Sequence, residues 1–93
     1  MDFDLTRREL QVYQSIANFM AKNDGLLSPT FREIAEDVQM KSKSHVWKVV
    51  DSLVSKGWVS RRIGRARSIR ITRRMAFYRV QNEGGETFFI EVA

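Results

Sequence analysis

Seven arginines stand between residues 61 and 74 with no acidic residue among them: Arg61, Arg62, Arg65, Arg67, Arg70, Arg73 and Arg74. A guanidinium is a planar fork of donors that keeps its charge, which suits it to phosphate oxygens and to the edge of guanine. Arginine outnumbers lysine eleven to five, a bias that solubility alone does not require. The charge is also confined. Residues 1–40 carry −3, residues 41–79 carry +11 and residues 80–93 carry −3, so the overall +5 hides a basic centre between acidic ends. A solvated face is the plainer reading of a basic chain, but a block this dense repels itself unless a polyanion lies near. Nucleic acid phosphate fits it better than solubility or an acidic lipid surface.

Other chemistries have little to work with. The chain has no Cys and one His, His45, so neither a thiolate site nor a histidine cluster is expected, and no metal or cofactor with them. There is no Gly-rich phosphate loop, and Asp37 and Asp51 read as helix-surface charges rather than as a carboxylate pair. An enzyme is not expected. With 93 residues, there is room for a single core. No apolar run approaches the roughly 18 residues of a membrane span. Residues 1–10 lack the charged start and apolar stretch of a signal peptide, and cytoplasmic location is expected, near the nucleoid of a bacterial or phage-infected cell.

The elements that position the arginines follow from caps and periodicity. Thr6-Arg7-Arg8-Glu9 and Thr30-Phe31-Arg32-Glu33 are capping boxes. Behind the first, Leu10, Tyr13, Ile16, Ala17 and Met20 recur at helical spacing, predicting a helix over 7–23 stopped by Asp24-Gly25. Behind the second, Phe31, Ile34, Ala35 and Val38 predict a short helix ending near Gln39. A turn of about three residues leads to Ser42, the cap of a third helix, whose apolar side is Val46, Val49, Val50, Leu53 and Val54 and whose end is Lys56-Gly57. After Gly57 the period falls to two. Strands are predicted over 58–63 and 68–72, joined through Gly64-Arg65-Ala66-Arg67, and a second hairpin over 77–81 and 87–92 turns through 82–85.

Two capped helices across a short turn, followed by a hairpin, predict an α+β winged helix-turn-helix over residues 1–75, with an extra β-hairpin over 76–93. On the third helix, Ser44, Lys48, Asp51 and Ser55 point away from the apolar side, flanked by Trp47 and His45. Ser44, His45, Trp47 and Lys48 are the expected base readers. Trp47 has two open readings, packing inward or touching a thymine methyl or sugar. Thr30, Lys41, Ser42, Lys43, Arg61, Arg62, Arg65, Arg67 and Arg70 are the expected backbone contacts, with Arg65 and Arg67 at the wing tip.

Leu5-Thr6-Arg7-Arg8-Glu9-Leu10-Gln11-Val12-Tyr13, Ser28-Pro29-Thr30-Phe31-Arg32-Glu33-Ile34-Ala35, Ser42, Leu53-Val54-Ser55-Lys56-Gly57-Trp58-Val59 and Arg67-Ser68-Ile69-Arg70-Ile71 together resemble the amino-terminal DNA-binding domain of LexA-type repressors. The resemblance covers residues 4–72. It implies a winged helix-turn-helix that binds double-stranded DNA and represses transcription. Two departures limit it. The family carries Asn, Ala and two acidic residues early on its reading helix, where this chain has Ser44, His45, Trp47 and Lys48, so a different operator is expected and a DNA-damage role does not carry over. The family's peptidase, with its Ser/Lys dyad and Ala-Gly cleavage site, has no counterpart, and self-cleavage is not expected.

Tyr78 and Val80 alternate on one strand of the second hairpin, and Phe88, Ile90 and Val92 on the other. A lone two-stranded hairpin is marginal in water, so this apolar face either folds onto the helices or pairs with a second copy; a homodimer is the expectation. The competing function is a protein-interaction module of a mobile element, engaging a host regulator or RNA polymerase through that hairpin. RNA binding is disfavoured by the lack of exposed aromatic platforms.

Overall fold

The order of elements is α1 (Arg7–Lys22), α2 (Phe31–Val38), α3 (Lys43–Ser55), β1 (Val59–Ser60), β2 (Arg70–Ile71), β3 (Ala76–Gln81) and β4 (Thr87–Val92). The structure is a computed structural model that describes residues 5–73, 76–81, 84 and 87–92, with side chains described over 5–73. Both capping boxes form. Thr6 Oγ1 accepts from the Glu9 amide at 3.2 Å while Glu9 Oε1 accepts from the Thr6 amide at 2.7 Å. Thr30 and Glu33 repeat the exchange at 3.1 and 2.8 Å, and Ser42 accepts from His45 N–H at the start of α3. These caps satisfy amides that have no intrahelical partner, and so fix where each helix begins.

α1 ends through Asp24 and Gly25, both with positive φ, and the Gly25 amide donates back to the Met20 carbonyl at 2.7 Å. α2 ends differently. Gln39 takes the left-handed conformation at φ +58 and donates to the Ala35 carbonyl, a job usually given to Gly or Asn. Residues 39–42 then turn the chain into α3.

The core is built from Val12, Tyr13 and Ile16 of α1, Ile34 and Ala35 of α2, and Val46, Val50 and Leu53 of α3, closed by Trp58, Val59 and Ile69. Val49 and Val54 flank it half-buried, as do Ala17 and Met20 on α1, while Val12, absent from the expected stripe, is fully buried. Tyr13 meets Trp58 edge-on at 5.8 Å and donates its hydroxyl to the Arg73 carbonyl. Arg73 in turn lays its guanidinium 4.2 Å from the Trp58 ring centroid. No helix among the described residues is long and apolar enough to cross a membrane.

α3 is tied to α1 by one carboxylate. Glu9, 4% exposed, accepts from the Ser52 hydroxyl at 2.5 Å and from Lys56 Nζ at 2.9 Å. Burial pushes the Glu9 carboxyl up. Hydrogen bonds from Ser52, the Thr6 amide and Lys56 outweigh that and hold it at about 2.

The wing strands are shorter than the sequence suggests. β1 and β2 pair antiparallel through Val59↔Ile71 and Ser60↔Arg70 only. Above them the Ser68 side chain takes over the ladder: its Oγ accepts from the Arg62 amide at 3.0 Å and has the Arg65 carbonyl at 2.8 Å as acceptor for its own proton. Ile63, expected at the end of a strand, therefore lies in the turn and is 88% exposed. β3 and β4 pair antiparallel with Tyr78 opposite Ile90, Val80 opposite Phe88 and Ala76 opposite Val92. The side chains of Tyr78, Val80, Phe88, Ile90 and Val92, on which the dimer expectation rests, lie outside the described residues.

Candidate nucleic-acid interface

The outer face of α3 carries Lys43, Ser44, His45, Trp47, Lys48, Asp51 and Ser55, all exposed, while Val46, Val50 and Leu53 turn inward. All four expected base readers are therefore open to a ligand. Trp47 follows neither reading proposed for it in full: it is 44% exposed, and the Arg61 guanidinium lies 5.7 Å from its ring centroid.

Arg61, expected among the backbone contacts, turns inward: its side chain is only 10% exposed and pairs with Asp51 Oδ1 at 3.5 Å. It also lies over Phe31, 5.5 Å from the ring centroid. Its Nε is buried without a hydrogen-bond partner. Two aromatic faces and a carboxylate draw it inward, where a guanidinium stacks better than an ammonium would.

Arg67 is half-committed. Its Nη1 donates to Glu33 Oε1 at 2.9 Å and to the Ser28 carbonyl at 3.1 Å, with the side chain 39% exposed. Glu33 is held below the usual carboxylate range, first by the Thr30 amide, against a smaller burial penalty, and then by Arg67. Arg62, Arg65 and Arg70 are exposed and make no side-chain hydrogen bond or ion pair with the described residues. The hydroxyls of Thr30 and Ser42 already accept as helix caps, which leaves each hydroxyl proton free to donate to a phosphate oxygen.

Two basic clefts flank α3. One, of about 480 Å³, is bordered by Thr30, Arg32, Lys43, Arg65 and Arg67 and so joins the start of α2, the first turn of α3 and the wing tip. The other, of about 500 Å³, is bordered by Arg8, Lys41, His45 and Lys48. Arg8 and Arg32 were not among the expected contacts. Both fall in the acidic first 40 residues, so a block-by-block reading of charge passes over them. Their place on α1 and beside the Thr30 cap is the signal that was available. Among the described residues no group of three His, Cys, Asp or Glu is placed to hold a metal.

Three helices, the third exposed across a short turn and backed by a basic hairpin, define a winged helix-turn-helix. A family model described as the LexA DNA binding domain matches residues 2–68, and the chain belongs to that family. Among similar proteins, the LexA repressor of Koribacter versatilis (strain Ellin345) is 39% identical over 69 residues. That of Novosphingobium aromaticivorans is 32% identical over 69 residues. Each match spans 74% of this chain but only 32% and 29% of those relatives, so the chain covers about a third of their length.

Proposed function

We propose that this domain binds double-stranded DNA sequence-specifically and regulates transcription, as a repressor that occludes a promoter. The observation that carries the reading is the shared cleft, in which Lys43 of α3 and the wing residues Arg65 and Arg67 border one space. α3 enters the major groove and presents Ser44, His45, Trp47 and Lys48 to base edges. The wing lies over the adjacent backbone or minor groove, with Arg62, Arg65 and Arg70 on phosphates. Two copies joined through residues 76–93 occupy two half-sites, since one α3 reads few base pairs and a twofold dimer doubles the readout.

Selection of bound duplexes from a random pool tests all of this. A twofold-symmetric consensus is expected. A single unrepeated half-site would end the pairing proposal, and failure to retain any duplex at low salt would favour a protein partner instead. On the selected duplex, Lys48→Ala or Trp47→Ala is expected to cost about 1–3 kcal/mol of discrimination at one or two positions. Arg65→Ala is expected to weaken every duplex alike and to reduce the salt slope by about 0.9. Uniform losses for Lys48→Ala would contradict its assignment.

A further inference from the structure

The basic block is not one surface, and the difference between its members has a consequence for specificity. Arg61 follows directly on β1, at the base of the wing. Its guanidinium reaches Phe31, the first residue of α2, and Trp47 and Asp51, one turn apart on α3. One side chain thus joins the wing to both helices of the helix-turn-helix. Arg67 closes the other end of the loop. It holds a left-handed backbone at φ +53, and its fork bridges Glu33 of α2 and the Ser28 carbonyl. Next to it, Ser28 Oγ accepts the Ile69 amide at 3.1 Å. Both ends of the loop are therefore fastened to the segment around α2, and between the two fastenings Ser68 holds the backbone of Arg62 and Arg65 while their side chains stand exposed.

We propose that Arg61 is a positioning residue: through Trp47, Asp51 and Phe31 it fixes the wing's pose on α3 and the orientation of Trp47 at the reading face, with Arg67 as the second tie, while Arg62, Arg65 and Arg70 neutralise phosphate. This rests on the DNA-binding reading above and adds which arginines set specificity without touching DNA. A planar fork between aromatic faces is not replaced by an ammonium. A plain phosphate contact is, because lysine keeps the charge. The pose matters because the wing and α3 meet the duplex at separate points, and a wing that swings loose contacts any sequence equally well.

The test uses the full chain and two probes, the best duplex from the random-pool selection and a random-sequence duplex of the same length. Binding is measured across a salt series well below the melting temperature. Arg62→Ala, Arg65→Ala and Arg70→Ala are each expected to flatten the salt slope on both probes by about 0.9. Arg61→Ala and Arg61→Lys are both expected to leave the slope on the random duplex unchanged. Both should lower the preference for the selected duplex by about tenfold, the scale of one lost base contact. Asp51→Asn removes the partner from the helix side and is expected to lower the preference in the same direction, which keeps the test open should Arg61→Ala fail to fold. The proposal is overturned if Arg61→Ala flattens the slope as Arg65→Ala does and Arg61→Lys restores it, or if Asp51→Asn leaves the preference at the wild-type value. A wild-type chain that binds neither probe would instead sink the DNA-binding reading itself.

Discussion

Replacing Glu9 with alanine is expected to destabilise the domain by about 3 kcal/mol and to lower its melting temperature by roughly 15 °C. The carboxylate is buried and accepts from three donors: the Thr6 amide, the Ser52 hydroxyl and Lys56. Its removal takes away the acceptor that ties Ser52 and Lys56, at the carboxy-terminal end of α3, to α1. The same number follows from its titration. A carboxyl that sits at about 2 in the folded chain, against an ordinary 4.5, contributes about 3 kcal/mol at neutral pH by linkage. The sign follows from the depressed value: the contribution is complete above pH 4.5 and disappears as the pH falls from 4.5 towards 2. Thermal melts of the wild type and of Glu9→Gln between pH 7 and pH 2 read this directly. The wild type should lose stability more steeply over that window, so that the two curves converge in acid. A Glu9→Ala melt within two or three degrees of wild type, against the roughly 4–8 °C expected per kcal/mol, would show that the tie carries little.

Binding to a duplex is expected to collapse with salt. Arg62, Arg65 and Arg70 on the wing, together with Lys41 and Lys43 around the turn, are exposed, and about five neutralised phosphates give a log–log slope near −4.5 by counterion release. Between 50 and 200 mM salt, affinity should therefore fall roughly 500-fold. A slope shallower than about −2 would mean that most of these cations are not on phosphates. Hydrogen bonds and apolar contacts to bases would survive the salt, so the residual sequence preference at high salt reports base contacts rather than phosphate neutralisation.

The helices were legible because their signals are local. Both Thr–Glu capping boxes, the Ser42 cap and the Asp24-Gly25 stop act over three or four residues and need no tertiary partner. Gln39 ends α2 in a conformation that its side chain does not advertise. The wing strands were overextended because alternation in the sequence does not reveal that Ser68 would take over the ladder bonds at Arg62. The outer face of α3 was readable from its apolar side. The inward placement of Arg61 was not, since it depends on Phe31, Trp47 and Asp51, which lie 10 to 30 positions away. Glu9 was legible as half of a capping box, but its bonds to Ser52 and Lys56 exist only once α1 and α3 pack together. In each case, what the chain encodes locally could be read, and what it encodes through packing could not.

The most direct measurement is a backbone-amide NMR titration of the full chain with the selected duplex. Residues 41–48 at the start of α3 and residues 62–67 of the wing should shift together and saturate at one stoichiometry, with α1 residues 14–22 unmoved. Shifts confined to either group alone, or centred on residues 76–92 with α3 silent, would contradict the claim that the third helix and the arginine wing grip one duplex together.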